Sequence, residues 1–237
     1  MDGIIIVNKP EDWTSFDVCA KIRNLSKTKK VGHSGTLDPF ATGVLPVFLG
    51  SATKSIQQFL EGEKGYIAEM TLGIKTDTLD KTGKVLNSNS ETTTNFQISK
   101  EQVERVFSKY RGEIEQKPPM FSAVRINGQR LYKLARKGET VERNVRKVTI
   151  YDLQIEEIIP PNKIRFKVVC SKGTYIRVLA AEIGDDLGLG AHLSKLQRTY
   201  SHPFHISQAI TIDTLVNLST IGQLESVLLP TNSFVQA

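Results

Sequence analysis

The chain has 237 residues, of which 39% are hydrophobic and 24% charged, and its formal net charge is +6. This length allows one large domain, or one domain with a small appendage. The N-terminus has no positive leader, and the apolar run at residues 4–7 is too short for a signal or membrane segment. Cys19 and Cys170 match no metal-ligand spacing, so we expect buried free thiols in a cytoplasmic protein.

The N-terminal quarter predicts a strand, a helix and a shaped loop. Residues 3–7 form an apolar run typical of a buried strand. Thr14 starts a helix, and Asp17 suits the first turn of that helix. Residues 32–47 contain three glycines and two prolines, so they form a loop rather than a helix, and the loop runs into a buried strand at residues 44–49.

The loop presents one carboxylate, Asp38, directly before Pro39. A residue before proline is pushed towards extended geometry, so Asp38 is held in a stiff bend. Asp-Pro is also a common turn initiator, and the loop by itself favours an ordinary turn.

The rest of the chain alternates between strands and helices. Residues 65–72 form a strand, and Tyr66 shares its apolar face, so periodicity alone indicates a core tyrosine. Residues 87–95 are polar and low in complexity, which predicts a mobile loop. The other predicted elements are helices at 53–60, after Ser99 and at 128–137, an extended segment at 118–123, a hairpin of 148–158 and 164–170, a helix capped by Thr174, a strand at 191–198 and a closing segment at 208–218.

The positive charge is concentrated in one segment. The window from residue 117 to residue 147 contains nine basic and two acidic residues. Its net charge of 9 − 2 = +7 exceeds the net charge of the whole chain, +6. A local basic excess suits a surface that contacts a phosphate backbone, although a solvated basic helix face has the same composition. The seven residues that we predict to contact phosphates are Lys117, Arg125, Arg130, Lys133, Arg136, Lys137 and Arg143.

Three strings of residues resemble the TruB family of tRNA pseudouridine synthases. Residues 32–45, Gly-His-Ser-Gly-Thr-Leu-Asp-Pro-Phe-Ala-Thr-Gly-Val-Leu, match the family's catalytic motif Gly-His-x-Gly-Thr-Leu-Asp-Pro-x-Ala-x-Gly-Val-Leu. Residues 73–80, Gly-Ile-Lys-Thr-Asp-Thr-Leu-Asp, and residues 173–177, Gly-Thr-Tyr-Ile-Arg, are similar to two further family strings.

The resemblance implies a fold and a domain plan. The fold would be the α+β pseudouridine synthase fold, with a mixed, mainly antiparallel sheet and flanking helices, whereas periodicity alone supports only α+β. The catalytic domain would occupy residues 1–215, and its basic segment 112–147 would close over the RNA. Residues 216–237 would form a short tail, too short for the C-terminal PUA domain that many bacterial members carry.

The resemblance also implies roles for single residues. Asp38 would be the catalytic carboxylate and Arg177 its partner cation. Tyr66 would stack on the target base and is the candidate for removing a proton late in the reaction. The residues implied to bind the substrate or to hold the site around it are His33, as a wedge in the RNA, Asp80, in the network of the site, and Tyr175 and Leu196, in the uridine pocket.

The implied reaction is the isomerisation of uridine 55 in the T-loop of tRNA to pseudouridine, after the base flips out. No electrons are exchanged, so we expect no redox cofactor and no metal, and the sequence contains no Cys/His cluster or P-loop. Asp38 fits covalent addition to the sugar or base, and equally the stabilisation of an electron-poor sugar. We expect a monomer whose partner is tRNA and which does not bind a membrane.

Two other functions are compatible with parts of the sequence. An RNA chaperone would flip and refold the T-loop without chemistry, but a pure binder has no need of Asp38, Tyr66 and Arg177 together. An enzyme that acts on a small molecule would use the Gly-rich loop for a phosphate. The missing P-loop lysine pattern and the basic excess argue against that second alternative.

Overall fold

The computed structural model of the chain describes residues 1–88, 98–126 and 128–231. In chain order the strands are β1 (Gly3–Lys9), β2 (Val31–His33), β3 (Thr42–Leu49), β4 (Lys64–Leu72), β5 (Ile74–Thr76), β6 (Val85–Ser88), β7 (Gly112–Gln116), β8 (Arg125–Ile126), β9 (Gln129–Arg130), β10 (Arg146–Ile159), β11 (Lys163–Cys170), β12 (Ala191–Ser201) and β13 (Phe204–His205). The α-helices are α1 (Ser15–Ser26), α2 (Ile56–Leu60), α3 (Lys100–Lys109), α4 (Leu131–Ala135), α5 (Ile176–Asp186) and α6 (Ile212–Thr220).

The chain folds into two compact units. The first consists of Met1–Tyr66 and Leu196–Ala237, and the second of Ile67–Lys195. In the first unit β1 and β2 both pair antiparallel with β3, and β3 runs parallel to the end of β12. In the second unit the strand order is β12, β4, β11, β10, β7, with β10 and β11 forming an antiparallel hairpin. The predicted α+β class, with a mixed and mainly antiparallel sheet, is confirmed.

Strand β1 is buried on both faces, which explains why its sequence is continuously apolar rather than alternating. Ile5 and Val7 pack in one apolar cluster with residues of α1 and α6. Ile4 and Ile6 face a second cluster that contains three aromatic side chains, Phe48, Phe59 and Phe204. The chain returns to this strand near its end, where the amide of Ile4 donates to the carbonyl of Leu229.

Two helices begin where the sequence predicts, because their caps are local. The Thr14 hydroxyl accepts from the amide of Asp17, and the Asp17 carboxylate accepts from the amide of Thr14. Ser99 and Gln102 form the same reciprocal pair at the start of α3. Each pair satisfies amides that a helix start would otherwise leave unbonded.

A long insertion leaves the sheet of the second unit and returns to the same place. Gln116, the last residue of β7, is the register partner of Arg146, the first residue of β10. We call the intervening residues 117–145 the basic flap. Its strands β8 and β9 pair with each other, and Leu131 and Leu134 of α4 are buried.

Several predicted elements have different limits in the structure. Within residues 128–137 only Leu131–Ala135 is helical, because Gln129 and Arg130 pair with β8. Within residues 118–123 the chain is not extended throughout, since it bends from residue 120 onwards and the amide of Ser122 bonds to the carbonyl of Met120.

Three further limits differ from those predicted. Thr174 does not cap α5, because its hydroxyl donates to the carbonyl of Ser171 and Tyr175 occupies the cap position. The first half of the predicted helix at 53–60 belongs to a 3-10 turn, Gly50–Ser55. Of the predicted mobile loop, residues 87 and 88 end β6, and residues 89–95 lie outside the described residues.

Two expectations from the composition can be compared with the structure. Both cysteines are buried and neither forms a disulfide, as predicted. Within the ranges that the structure describes, no helix is long and apolar enough to cross a membrane.

Candidate active site

Asp38 lies in the loop between β2 and β3, residues 34–41, which we call the Asp38 loop. The Ser15 hydroxyl, in the first turn of α1, accepts from the amide of Leu37 at 3.0 Å and lies 3.3 Å from the carbonyl of Leu37. On the other side of Asp38, the carbonyl of Pro39 accepts from the amide of Asp12 at 2.9 Å. The main chain is therefore fixed immediately before and immediately after the carboxylate, which itself is partly exposed.

A buried lysine supports the same loop. Lys9, at the end of β1, is fully buried, and its Nζ donates to the carbonyls of Pro10, Trp13 and Pro39 at 2.8, 2.5 and 2.9 Å. Burial lowers the pKa of Lys9 to about 8, and the negative charges of Asp12 and Asp38 oppose that shift. Lys9 is therefore a cation close to Asp38 that also satisfies three carbonyls of the turns around it.

Arg198 of β12 supports the start of the loop and the strand that follows it. The side chain is 1% exposed, and its Nε and Nη2 donate to the carbonyls of Val44 and Gly35 at 2.7 and 2.9 Å. Gly43 has φ = +100°, and a Cβ there would overlap the main chain of Arg198. Sequence reasoning gave Arg198 no role; its position two residues after Leu196, on the same face of β12, is the signal that could have identified it as buried.

His33 precedes the loop and is partly buried. Its Nδ1 is buried and has no hydrogen-bond partner among the described residues, and the same holds for the hydroxyl of Ser34. Burial, together with the positive charge of Arg198, lowers the pKa of His33. The imidazole is therefore mainly neutral at pH 7, and its predicted role as a wedge in the RNA stays a prediction.

Tyr66 and Leu196 also belong to the first unit. Tyr66 lies in β4 and Leu196 in β12, each at the point where the strand passes from one unit to the other. The two side chains are 9% and 7% exposed. This burial agrees with the apolar face that the alternation of β4 predicts for Tyr66, and it suits the wall of a pocket. The stacking role of Tyr66 and the pocket role of Leu196 stay predictions.

The second unit holds Arg177 in the first turn of α5. The side chain is 2% exposed, and its Nη1 and Nη2 donate to the carbonyls of Thr78 and Phe121 at 3.1 and 2.8 Å. The Nε lies 3.8 Å from an oxygen of Asp80, and the guanidinium lies 6.0 Å from the centre of the Tyr175 ring. Arg177 is thus fixed by several contacts within its own unit. Its predicted pairing with Asp38 stays a prediction.

Asp80 organises the turn beside Arg177. One of its carboxylate oxygens accepts from the Thr78 hydroxyl at 2.8 Å and from the amide and hydroxyl of Thr82 at 2.9 and 2.6 Å. The carbonyl of Asp80 accepts from the hydroxyl of Thr76 at 2.7 Å. These bonds fit the predicted part of Asp80 in holding the network of the site.

Gln116 bonds to the main chain of Tyr175 and was not identified from the sequence. Its side-chain oxygen accepts from the amide of Tyr175 at 2.7 Å, and its side-chain nitrogen donates to the carbonyl of Tyr175 at 3.1 Å. Gln116 is 2% exposed and lies 59 positions before Tyr175 in the chain, so no local pattern relates the two.

Most of the predicted phosphate-binding residues are exposed on the basic flap: Lys117, Arg125, Arg130, Lys133, Arg136 and Lys137. Arg136 lies over the ring of Tyr132, 5.6 Å from its centre. Arg143 differs from the others, because it is partly buried and its Nη1 donates to the carbonyl of Pro118 at 3.1 Å. That bond joins the two ends of the flap, so Arg143 has a structural role whether or not it contacts RNA.

The structure thus groups the predicted site residues by unit. Asp38, Tyr66, His33 and Leu196 belong to the first unit, and Arg177, Asp80 and Tyr175 to the second. Among the residues that the structure describes, no group of three or more His, Cys, Asp or Glu side chains could hold a metal ion.

Comparison with known proteins identifies the family. Residues 23–176 match the model of the TruB family pseudouridylate synthase N-terminal domain, and residues 177–236 match the model of the tRNA pseudouridylate synthase B C-terminal domain. These models divide the chain at a different place from the predicted boundary at residue 215, which stays a prediction.

Two curated relatives are both named tRNA pseudouridine synthase B. The protein from Clostridium kluyveri is 48% identical over 215 residues, which cover 91% of this chain and 72% of the relative. The protein from Geobacillus thermodenitrificans is 45% identical over 236 residues, which cover 97% of this chain and 77% of the relative.

Among solved structures, a chain in a Cbf5-Nop10-Gar1 complex superposes with a TM-score of 0.75 at 31% identity. The superposition covers 96% of this chain and 60% of that one. A chain in an H/ACA RNP bound to a substrate RNA gives a TM-score of 0.71 at 29% identity. That superposition covers 96% of this chain and 59% of the other. By these matches the chain belongs to the TruB family of pseudouridylate synthases and is an enzyme of the isomerase class.

Proposed function

We propose that this enzyme converts uridine 55 in the T-loop of tRNA to pseudouridine. The observation that carries the proposal is the Asp38 loop, in which the residues on both sides of one partly exposed carboxylate are held by hydrogen bonds. The names of the curated relatives support tRNA as the substrate class. The cytoplasmic location and the monomeric state stay predictions.

The reaction is an isomerisation in which the N1–C1′ bond breaks, the base turns, and a C5–C1′ bond forms. The proton on C5 is lost and N1 gains one, so atoms and electrons balance. The Asp38 carboxylate would act at the sugar or base, either by covalent addition or by stabilising an electron-poor sugar. A neighbouring cation favours the charged form of a carboxylate. Lys9 and, as we propose, Arg177 would supply this positive charge beside Asp38.

The other residues of the site would receive the flipped base. Flipping costs roughly a few kcal/mol, and stacking of the base on Tyr66 would offset part of that cost. His33 would fill the gap that the base leaves in the RNA, which a neutral imidazole can do. Tyr175 and Leu196 would line the uridine pocket, and Asp80 would keep Arg177 in place through the contacts described above.

The basic flap would bind the phosphate backbone near the site. Six of its cations are exposed, so they can contact phosphates without a large loss of their own hydration. Arg143 would close the base of the flap through the carbonyl of Pro118. Binding should therefore weaken with salt, as expected for a surface that releases counterions.

The test compares the purified enzyme with Asp38→Asn on an unmodified tRNA transcript. Pseudouridine is tagged chemically and located by primer extension, and RNA binding is measured on the same samples. We expect a stop at position 55 with the wild type and at least about a thousandfold less product with Asp38→Asn, at similar affinity. Asp213→Asn, an exposed aspartate in the first turn of α6, is the matched control and should retain full activity.

Each other outcome rejects one part of the proposal. Substantial product from Asp38→Asn would remove Asp38 from the mechanism. A stop at another position would reject uridine 55 as the target. If the wild type binds the transcript but forms no product, the RNA chaperone becomes the better interpretation.

A further inference from the structure

The residue directly before the basic flap contacts the candidate active site. Gln116 and Arg146 are paired at the point where the flap leaves and re-enters the sheet. Strand β7 is the last strand in the order of this unit, so the flap projects from a sheet edge. Gln116 is therefore the sheet residue from which the flap leaves, and its side chain bonds to the main chain of Tyr175.

The bond pattern requires a primary amide. The carboxamide oxygen accepts from the amide of Tyr175 at 2.7 Å, and the nitrogen donates to the carbonyl of the same residue at 3.1 Å. A single amide thus pairs with Tyr175 as a neighbouring strand would. A carboxylate lacks the donor, and an apolar side chain lacks both groups.

The main-chain conformation of Tyr175 determines how helix α5 begins. It caps α5 with φ = −100° and ψ = 105°, and its carbonyl also accepts from the amides of Val178 and Leu179 at 3.1 Å. Fixing this residue fixes the direction in which α5 starts, and with it the placement of Arg177 two residues later. The flap itself also contacts Arg177, because the carbonyl of Phe121 accepts from the Arg177 Nη2 at 2.8 Å.

We infer that Gln116 is a positioning residue for the isomerisation. Gln116 holds the main chain of Tyr175 in place. It thereby fixes the positions of the Tyr175 ring and the Arg177 guanidinium relative to the start of the flap. This inference rests on the proposed function for its substrate. A merely structural amide would lower stability when removed but would leave the rate of the bound enzyme unchanged.

The test uses Gln116→Met and a matched control, Asn162→Leu. Asn162 is 8% exposed, lies in the turn between β10 and β11, and its side chain donates to the carbonyl of Leu72 at 2.9 Å. Each variant loses one buried amide that bonds to main chain in the same unit. The measurements are the single-turnover rate at saturating enzyme, the Kd for the tRNA transcript, and the thermal midpoint.

We expect Gln116→Met to reduce the single-turnover rate by roughly ten- to a hundredfold, with the Kd changed less than about threefold. Asn162→Leu should lose comparable stability and keep its rate within about twofold. Equal rates for the two variants, or a loss that follows the Kd, would overturn the inference.

Gln116→Glu adds a readout that stability alone would not change. At pH 8 its carboxylate faces the carbonyl of Tyr175 without a proton to donate. At pH 5.5 a larger fraction is protonated, and a protonated carboxyl again offers one donor and one acceptor. The rate of this variant relative to wild type should therefore rise as the pH falls, and a constant ratio would overturn the inference.

Hydrogen exchange of the peptide spanning residues 174–178, measured without RNA, separates this inference from the proposed function. Faster exchange in Gln116→Met than in wild type supports the bond to Tyr175, whatever the substrate is. Unchanged exchange overturns the inference even if the wild type forms pseudouridine. A wild type that forms no pseudouridine rejects the proposed function, and with it the role of Gln116 in the isomerisation, while faster exchange in Gln116→Met would still support the bond to Tyr175.

Discussion

The Asp38 loop and the basic flap are supported in opposite ways. Three side chains that are almost fully buried, Lys9, Ser15 and Arg198, bond to the main chain of the loop or of the residues next to it. The flap is joined at its base by the bond from Arg143 to Pro118, and its charged side chains are mostly exposed. Positive charge thus shapes the main chain in the first region and faces solvent in the second.

This difference follows from what each region has to do. A carboxylate that reacts must be held close to one geometry, since small displacements cost large factors in rate. A surface that binds a phosphate backbone gains from long-range charge and tolerates motion. Burying Lys9 and Arg198 sacrifices their hydration, which is tolerable only because their donors find carbonyl partners.

The largest expected effect contrasts a glycine beside the Asp38 loop with one in the flap. Gly43 and Gly138 both have positive φ, at +100° and +78°. A Cβ on Gly43 would overlap the main chain of Arg198, whereas a Cβ on Gly138 would have no heavy atom within 4 Å among the described residues. Gly43→Ala should therefore cost about 4 kcal/mol of unfolding free energy and Gly138→Ala about 1 kcal/mol, measured by urea denaturation.

Similar losses in these two variants would contradict the contrast. They would mean that the Asp38 loop relaxes around an added methyl group as easily as the flap does. Retained activity in Gly43→Ala would likewise show that the support from Arg198 is not needed for the reaction.

A smaller effect tests the flap from the other side. Arg130→Glu together with Arg136→Glu should weaken tRNA binding by roughly ten- to a hundredfold at about 0.1 M salt. The slope of log Kd against log salt should fall by about 1 for each phosphate that the variant no longer neutralises. The thermal midpoint should stay unchanged, because both side chains are exposed.

The control for this pair reverses two exposed lysines elsewhere, Lys54→Glu with Lys100→Glu. It changes the net charge by the same amount and should reduce affinity far less. Equal salt slopes for the two double variants would show that net charge, rather than the flap, determines binding.

The parts of the fold that sequence predicted well depend on local signals. The capping pairs at Thr14 and Ser99 involve residues three positions apart, and the hairpin of β10 and β11 follows from alternation around a proline turn. Thr174 shows the limit of such signals. Its hydroxyl has two local options, the helix amides and the carbonyl of Ser171, and the second prevails.

The bonds that sequence could not predict join distant parts of the chain. Arg198 bonds to carbonyls 154 and 163 positions away, and Gln116 to a residue 59 positions away. Both residues occupy strands, where a polar side chain is ordinarily placed on a solvated face. Their partners are main-chain groups, which leave no residue-type signal at the other end. The Asp38 motif, in contrast, could be recognised from the sequence because its residues, 32–45, are contiguous.

The smallest effect concerns pH and the histidine at the entrance of the Asp38 loop. The pKa of His33 is lowered in the folded state by burial and by Arg198, while in the unfolded chain it is about 6.5. As the pH falls through 6.5, the unfolded state therefore binds a proton that the folded state does not, and the folded state loses stability. Between pH 7.5 and 5.5, wild type should lose more unfolding free energy than His33→Gln, measured by urea denaturation at each pH. Parallel losses would mean that the imidazole titrates as in water, and that the Asp38 loop is less closed around it than around Lys9 and Arg198.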